Sequence, residues 1–260
     1  MKKVVLLSLV SAIAFVYWGC KKSESQGPTG PGTTENYFPD NDGTNYKYSY
    51  LKIDSTGQVY GMRSTYYKGS ASNSGTTYKI QIDTLNLWTS LQVDTSYFRT
   101  TGAGVYSFID TTGFAASIID SSLIPLIPFV TIDKELLAYS FPLQTNKSWT
   151  VFKINLTSPV FVTIVDVSAL VVGQEMIVLS LPTGPTYKDA YKIKYTLTRR
   201  LNTQLPMFLT VTANAWLIQD IGPVKWEGNG TLVDVLTGVG IDFSDTTTVV
   251  NQSLIDYQIK

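Results

Sequence analysis

The chain has 260 residues, with 20 basic and 20 acidic side chains, one cysteine and no histidine. That balance exerts no electrostatic pull on phosphate backbones, so nucleic acid is not an expected partner. Without histidine, Ser-His-Asp and Cys-His catalysis, histidine zinc sites and histidine-ligated haem are excluded, and a lone cysteine forms no internal disulfide.

The N-terminus opens with Lys2 and Lys3, continues through an apolar run from Val4 to Val16, and reaches small Gly19 immediately before Cys20. This is the layout of an export signal, and the run falls short of the ~20 apolar residues that cross a bilayer as a helix. The junction resembles the lipobox of bacterial lipoproteins, in which signal peptidase II cleaves before the cysteine and the new N-terminus receives acyl chains. Tyr17 stands where that pattern usually has Leu. The resemblance implies a signal peptide over residues 1–19, lipidation at Cys20 and a membrane partner held through palmitate-type chains. Lys21, not Asp, follows the anchor, which by the same resemblance points to the outer membrane. Without its signal the chain carries 18 basic and 20 acidic groups, a charge near minus two.

Residues 20–36 follow as lipidated cysteine and tether, because 21–36 are dense in Gly, Pro, Ser and Thr. Sixteen extended residues span on the order of 50 Å. A single domain is expected from Tyr37 to Lys260.

Within it the fold class reads as mostly β, a curved antiparallel sheet or half-barrel with little helix. Tyr46, Tyr48 and Tyr50 form one row. Tyr78, Ile80 and Ile82 alternate with polar residues, as do Tyr191, Ile193, Tyr195 and Leu197, which is the period-two pattern of strands with one buried face. Ser55-Thr56-Gly57, Ser74-Gly75, Thr183-Gly184-Pro185 and Asn229-Gly230 are expected turns between strands. Apolar runs at 160–165 and 176–179 predict strands covered on both faces. Pro125 and Pro128 break any long helix over 122–139. The apolar stretch 123–130 is read as a crossover packed over the sheet, or as the rim of a hydrophobic pocket.

An internal echo divides the domain. Phe38-Pro39 precedes Tyr46 as Phe141-Pro142 precedes Trp149, and Tyr97 precedes Val105 as Trp216 precedes Val224. Two duplicated β-meanders are the expectation, in halves 37–134 and 135–260. The segments Phe38 to Tyr46 and Ile221-Gly222-Pro223-Val224-Lys225-Trp226 resemble motifs of uncharacterised bacterial cell-envelope lipoproteins, with a more remote similarity to carriers of the LolA and LolB type. The latter implies a concave apolar face able to hold acyl chains.

Few residues offer chemistry. Asp133 with Glu135, and Asp220 with Glu227, are the carboxylate pairs a glycoside hydrolase would need, and solvated turn carboxylates are the plainer account. Thr101-Gly102-Ala103-Gly104 lacks the third glycine of a dinucleotide loop. Asp40-Asn41-Asp42-Gly43 fails the register of a calcium loop and reads as a turn. Trp88, Trp149, Trp216 and Trp226 are expected in the core, unless they line a sugar-binding face. No catalytic residue, cofactor or metal site is expected, and no ligand-binding residue is identified beyond the lipidated Cys20. The functional expectation is a non-catalytic binding or structural role, with an apolar ligand or an envelope protein as partner. An adhesin or glycan-binding module is the alternative, with a carboxylate-based hydrolase behind it.

Overall fold

The computed structural model describes residues 35–73, 75–109, 128–158, 161–201, 207–238 and 246–260. The signal segment, Cys20, most of the tether and positions 123–127 of the apolar stretch lie outside the described residues.

Among the described residues, thirteen strands run in chain order: β1 (Asn45–Asp54), β2 (Gly57–Asn73), β3 (Thr76–Asn86), β4 (Leu91–Thr101), β5 (Gly104–Phe108), β6 (Val130–Ile132), β7 (Glu135–Ser140), β8 (Ser148–Leu156), β9 (Val162–Leu181), β10 (Gly184–Arg200), β11 (Phe208–Ile218), β12 (Gly222–Asn229) and β13 (Val249–Gln258). All belong to one antiparallel sheet in the order β6-β8-β9-β10-β11-β12-β13-β1-β2-β3-β4-β5-β7. The expected alternation holds in β1, where Tyr46, Tyr48 and Tyr50 are buried while Lys47 and Ser49 are not, but in β3 the expected face is overturned: beyond Tyr78 the buried residues are Gln81 and Asp83, and Ile80 and Ile82 are only half-buried. The sheet curves so that inward rings from distant strands meet. Tyr139 of β7 and Tyr195 of β10 both lie 6.4 Å from Trp226 of β12, and Phe38 packs against Tyr67, Phe98 and Tyr139.

The sheet contains two meanders of one register, β1 to β5 and β8 to β12. Around Phe38-Pro39, Gly43 N–H donates to Tyr67 O, Tyr67 N–H to Thr44 O, and Thr44 N–H to Asn41 O. After Phe141-Pro142, Asn146 N–H donates to Val171 O, Val171 N–H to Lys147 O, and Lys147 N–H to Gln144 O. Gly43 (φ 89°) and Asn146 (φ 68°) occupy the same left-handed position. In β2, Lys68 and Gly69 bulge opposite Ile80, and in β9, Val172 and Gly173 bulge opposite Lys192. Tyr48↔Arg63 corresponds to Phe152↔Val167, Thr65↔Asp83 to Ala169↔Tyr195, and Ile80↔Tyr97 to Lys192↔Trp216. The second copy is longer by a bulge in β8, by four residue pairs at the β9–β10 tip and by the connection at 201–207. Since β7 pairs with β5, the first meander and its closing strand run to Ser140, past the expected boundary at 134.

Three local expectations need correction. Asn229-Gly230 does not turn between strands but opens a helix, α1 (Gly230–Thr237). Asn229 Oδ1 accepts from Leu232 N–H at 3.2 Å, and Gly238 closes the helix at φ 82°. Residues 176–179 are not covered on both faces: Met176 is 70% exposed and Val178 53% exposed. They lie in the part of the β9–β10 hairpin that outruns its neighbours, where Ile177 and Leu179 pack against the core and the opposite face, with Met176 and Val178, is left open. In the run at 160–165, Ile164 and Val165 are buried, but Phe161 is exposed just before β9 begins.

Candidate functional site

The inward residues of β2 and β3 carry the buried polar cluster. Alternation places Arg63, Thr65 and Tyr67 on one strand beside Gln81 and Asp83 on the next. Asp83 Oδ1 accepts from Arg63 Nε at 2.9 Å and from Thr65 Oγ1 at 2.5 Å, and Asp83 Oδ2 accepts from Gln81 Nε2 at 2.5 Å. Arg63 further donates to Gln252 Oε1 on β13 and to Thr237 O, each at 3.3 Å. Gln81 Nε2 also reaches Thr237 O at 3.0 Å, and its Oε1 accepts from Tyr67 OH at 2.8 Å.

The reason lies in α1. Leu232 and Val233 are fully buried, so the helix sits inside the sheet and buries its own C-terminus. Its last carbonyls need donors and its negative dipole end favours a cation. Arg63 and Gln81 supply both, and Asp83 balances the guanidinium, which would otherwise be a buried unpaired charge. Both carboxylate oxygens of Asp83 accept from side chains of the cluster itself.

Between this cluster and the aromatic core lies a cavity of about 30 Å³, bordered by Tyr48, Arg63, Gln81, Phe98 and Trp226. That volume holds a water or two and is far too small for an acyl chain. Burial pushes the hydroxyl pKa values of Tyr48, Tyr67, Tyr139 and Tyr195 well above 10, so all remain neutral donors. Burial also raises the carboxyl of Asp234, on α1, to about 6, opposed by the nearby Arg63 cation.

The carboxylates singled out by sequence do not converge. Asp133 Oδ2 accepts from the backbone N–H of Lys153. Glu135 takes Arg99 through two bonds of 2.5 and 2.6 Å and accepts from Tyr78 OH at 2.6 Å; Arg99 leads in holding its carboxyl below the usual range. Asp220 occupies the β11–β12 turn at φ 61°, and Glu227 pairs with Lys225 at 2.8 Å. In the Asp40–Gly43 turn, Asp40 accepts from Thr100, Asn41 donates to Lys260 O, and Asp42 pairs with Lys79. Among the described residues no group of three acidic or thiol side chains is placed to hold a metal ion.

The tryptophans form no exposed row. Trp216 and Trp226 are buried, Trp149 is half-buried with its indole donating to Leu137 O at 2.9 Å, and Trp88 stands exposed in the β3–β4 turn. Trp216 lies between the ammonium groups of Lys192 and Lys225, at 4.9 and 4.4 Å from its ring, and donates to Glu175.

The Arg63–Asp83 cluster escaped sequence reasoning because neither residue belongs to a motif. The available signal was polar residues at inward positions of alternating strands, Arg63 and Thr65 in β2, Gln81 and Asp83 in β3.

The sequence matches no protein-family model and no curated protein sequence. Three solved structures are similar at low identity. A protein described as a lipoprotein from Parabacteroides distasonis is 13% identical with a TM-score of 0.42, over 86% of this chain and 99% of its own. An exported protein with a YmcC-like fold from Bacteroides fragilis is 9% identical with a TM-score of 0.45, over the same shares. The hypothetical lipoprotein YmcC from Escherichia coli is 9% identical with a TM-score of 0.32, over 81% of this chain and 84% of its own.

Proposed function

We propose that this chain is a lipid-anchored protein of the cell envelope, held at the outer membrane through Cys20, whose folded part works by binding or structural support and not by catalysis. The observation that carries this reading is the lone cysteine directly after the Lys2-Lys3 and Val4–Val16 export pattern. The interior supports the non-catalytic half of the proposal. The polar groups of the Arg63–Asp83 cluster bond to one another and to α1, and the carboxylates of Glu135, Glu227 and Asp133 are engaged by Arg99, Lys225 and the backbone N–H of Lys153.

The cavity beside the buried polar cluster, about 30 Å³, is too small to hold an acyl chain. A glycan platform is disfavoured because three of the four described tryptophans pack inward or are enclosed by side chains. The partner on this reading is the membrane itself or an envelope protein.

The test expresses the full chain in a bacterial host beside Cys20→Ser. Wild type is expected to incorporate labelled palmitate and to lose residues 1–19, and the variant to do neither, because cleavage requires the lipidated cysteine. Native mass spectrometry of the detergent-extracted wild type is expected to show the acylated N-terminus and no further lipid. An unlabelled wild type, or stoichiometric lipid beyond the anchor, contradicts the proposal.

A further inference from the structure

The two meanders supply an internal control for surface function, because matched hairpins should differ only where one has acquired a task. In the first copy, β2 and β3 continue past the bulge through Ser70↔Lys79, Ser72↔Thr77 and Asn73↔Thr76, and then turn. This tip is polar. In the second copy the matched positions are Gln174↔Tyr191 and Met176↔Asp189, and the hairpin then adds four residue pairs, including Val178↔Tyr187. Met176, which stands where the first copy has Ser72, and the added Val178 and Tyr187 are apolar where solvent would favour polar groups: Met176 is 70% exposed, Tyr187 64% and Val178 53%. The other face of the ribbon is already used, since Ile177, Leu179 and Leu181 pack into the core cluster.

The position of the tether selects the occupant. Tyr37, the first buried residue after it, packs edge-on against Tyr191 at 5.8 Å between ring centroids. On β10, residues 187, 189 and 191 share one face, so the chain that leads back to Cys20 joins the domain at the base of the exposed apolar face. A coil of sixteen residues spans about 20–25 Å. The hairpin from Tyr191 to its tip, seven residues at about 3.3 Å each, is of similar length. A bilayer holding the acylated Cys20 is thus within reach of Met176, Val178 and Tyr187. Tyrosine with flanking aliphatic groups suits the headgroup boundary.

We infer that the Met176–Val178–Tyr187 face of the β9–β10 hairpin docks onto the lipid bilayer that carries the Cys20 anchor, fixing the orientation of the domain. This rests on the lipid-anchor reading above. Because Cys20 is the only native cysteine, and acylation consumes its thiol, Val178→Cys and Ser72→Cys variants of the full lipidated chain can each be labelled at one site with an environment-sensitive nitrobenzoxadiazole dye. In phosphatidylethanolamine–phosphatidylglycerol vesicles, nitroxide lipids are expected to quench the label at position 178 at least threefold more than the label at 72. Met176→Ser combined with Tyr187→Ser should remove that difference. Equal quenching on protein that still floats with vesicles overturns docking while leaving the anchor intact. A reactive Cys20 thiol with no flotation overturns the anchor and docking together. Shielding of the label at 178 without vesicles, rising with protein concentration, overturns the bilayer in favour of a second copy of the chain.

Discussion

The two meanders put one backbone register to opposite uses. Arg63, Thr65, Gln81 and Asp83 in the first copy stand where the second has Val167, Ala169, Ile193 and Tyr195. What differs is the neighbour. The C-terminus of α1 comes down over the first copy and requires donors, whereas the second copy faces β7, with Tyr195 OH giving a single bond to Ala138 O at 2.8 Å. A sheet interior thus accepts a closed polar network where a backbone end must be satisfied, and otherwise fills with hydrocarbon.

The sharpest way to break that comparison is substitution at matched sites. Arg63→Met leaves Asp83 as a buried unpaired charge and removes one of the two side-chain donors to Thr237 O, with an expected cost of about 3–5 kcal/mol. Val167→Ala removes two methyl groups and should cost about 1–3 kcal/mol. Thermal unfolding followed by circular dichroism reads both. Equal losses would mean that the cluster does not distinguish the copies. Adding Asp83→Leu to Arg63→Met should recover much of the loss, since two apolar groups leave no unpaired charge.

Protonation sharpens the comparison next. Asp234, half-buried on α1, has a folded pKa of about 6 against an ordinary 3.8. A raised carboxyl pKa means the folded state holds the proton more tightly. Its contribution to stability is full below about pH 4 and is lost as pH rises through about 6. Asp234→Asn should therefore gain on wild type between pH 4 and 7, by at most about 3 kcal/mol. Urea midpoints across that range check it, and parallel curves for the two proteins would refute it.

The two junctions between the copies also differ. β13 pairs with β1 through a backbone ladder from Asn45 to Ile53, interrupted once by a bulge between Lys47 and Tyr48. Between β7 and β8, side chains bridge instead: Trp149 donates to Leu137 O, Tyr195 to Ala138 O, and Lys147 Nζ to Ser140 O and Pro142 O. Tyr195→Phe is expected to cost about 1–2 kcal/mol by leaving a buried carbonyl without its donor. Hydrogen exchange should show β7 and β8 opening before β1 and β13; the reverse order would place the weaker junction on the wrong side. The smallest effect is expected at Lys47–Asp256, a 3.0 Å pair with both side chains nearly half exposed. Lys47→Ala should change stability by less than about 1 kcal/mol.

Much of the fold was legible because strand alternation and turn residues are local signals. The Phe-Pro echo also landed on matched strands, β1 with β8 and β4 with β11. α1 was missed because Asn-Gly serves equally as a hairpin turn and as a helix opening. The choice was settled by burial of Leu232, Val233 and Leu236, which depends on tertiary contacts. Met176–Leu179 misled for the opposite reason. An apolar run normally means cover on both faces, yet this one projects beyond its neighbouring strands. The polar cluster draws on β2, β3, β13 and α1, and no one-dimensional pattern shows that Arg63 meets Asp83 and Thr237.

The most direct test of the anchored-domain account is the mass of the N-terminal peptide of the protein recovered from its envelope. The account predicts a chain beginning at Cys20, with diacylglycerol on its sulfur and an acyl group on its nitrogen. A chain beginning elsewhere with an unmodified Cys20 thiol would contradict it.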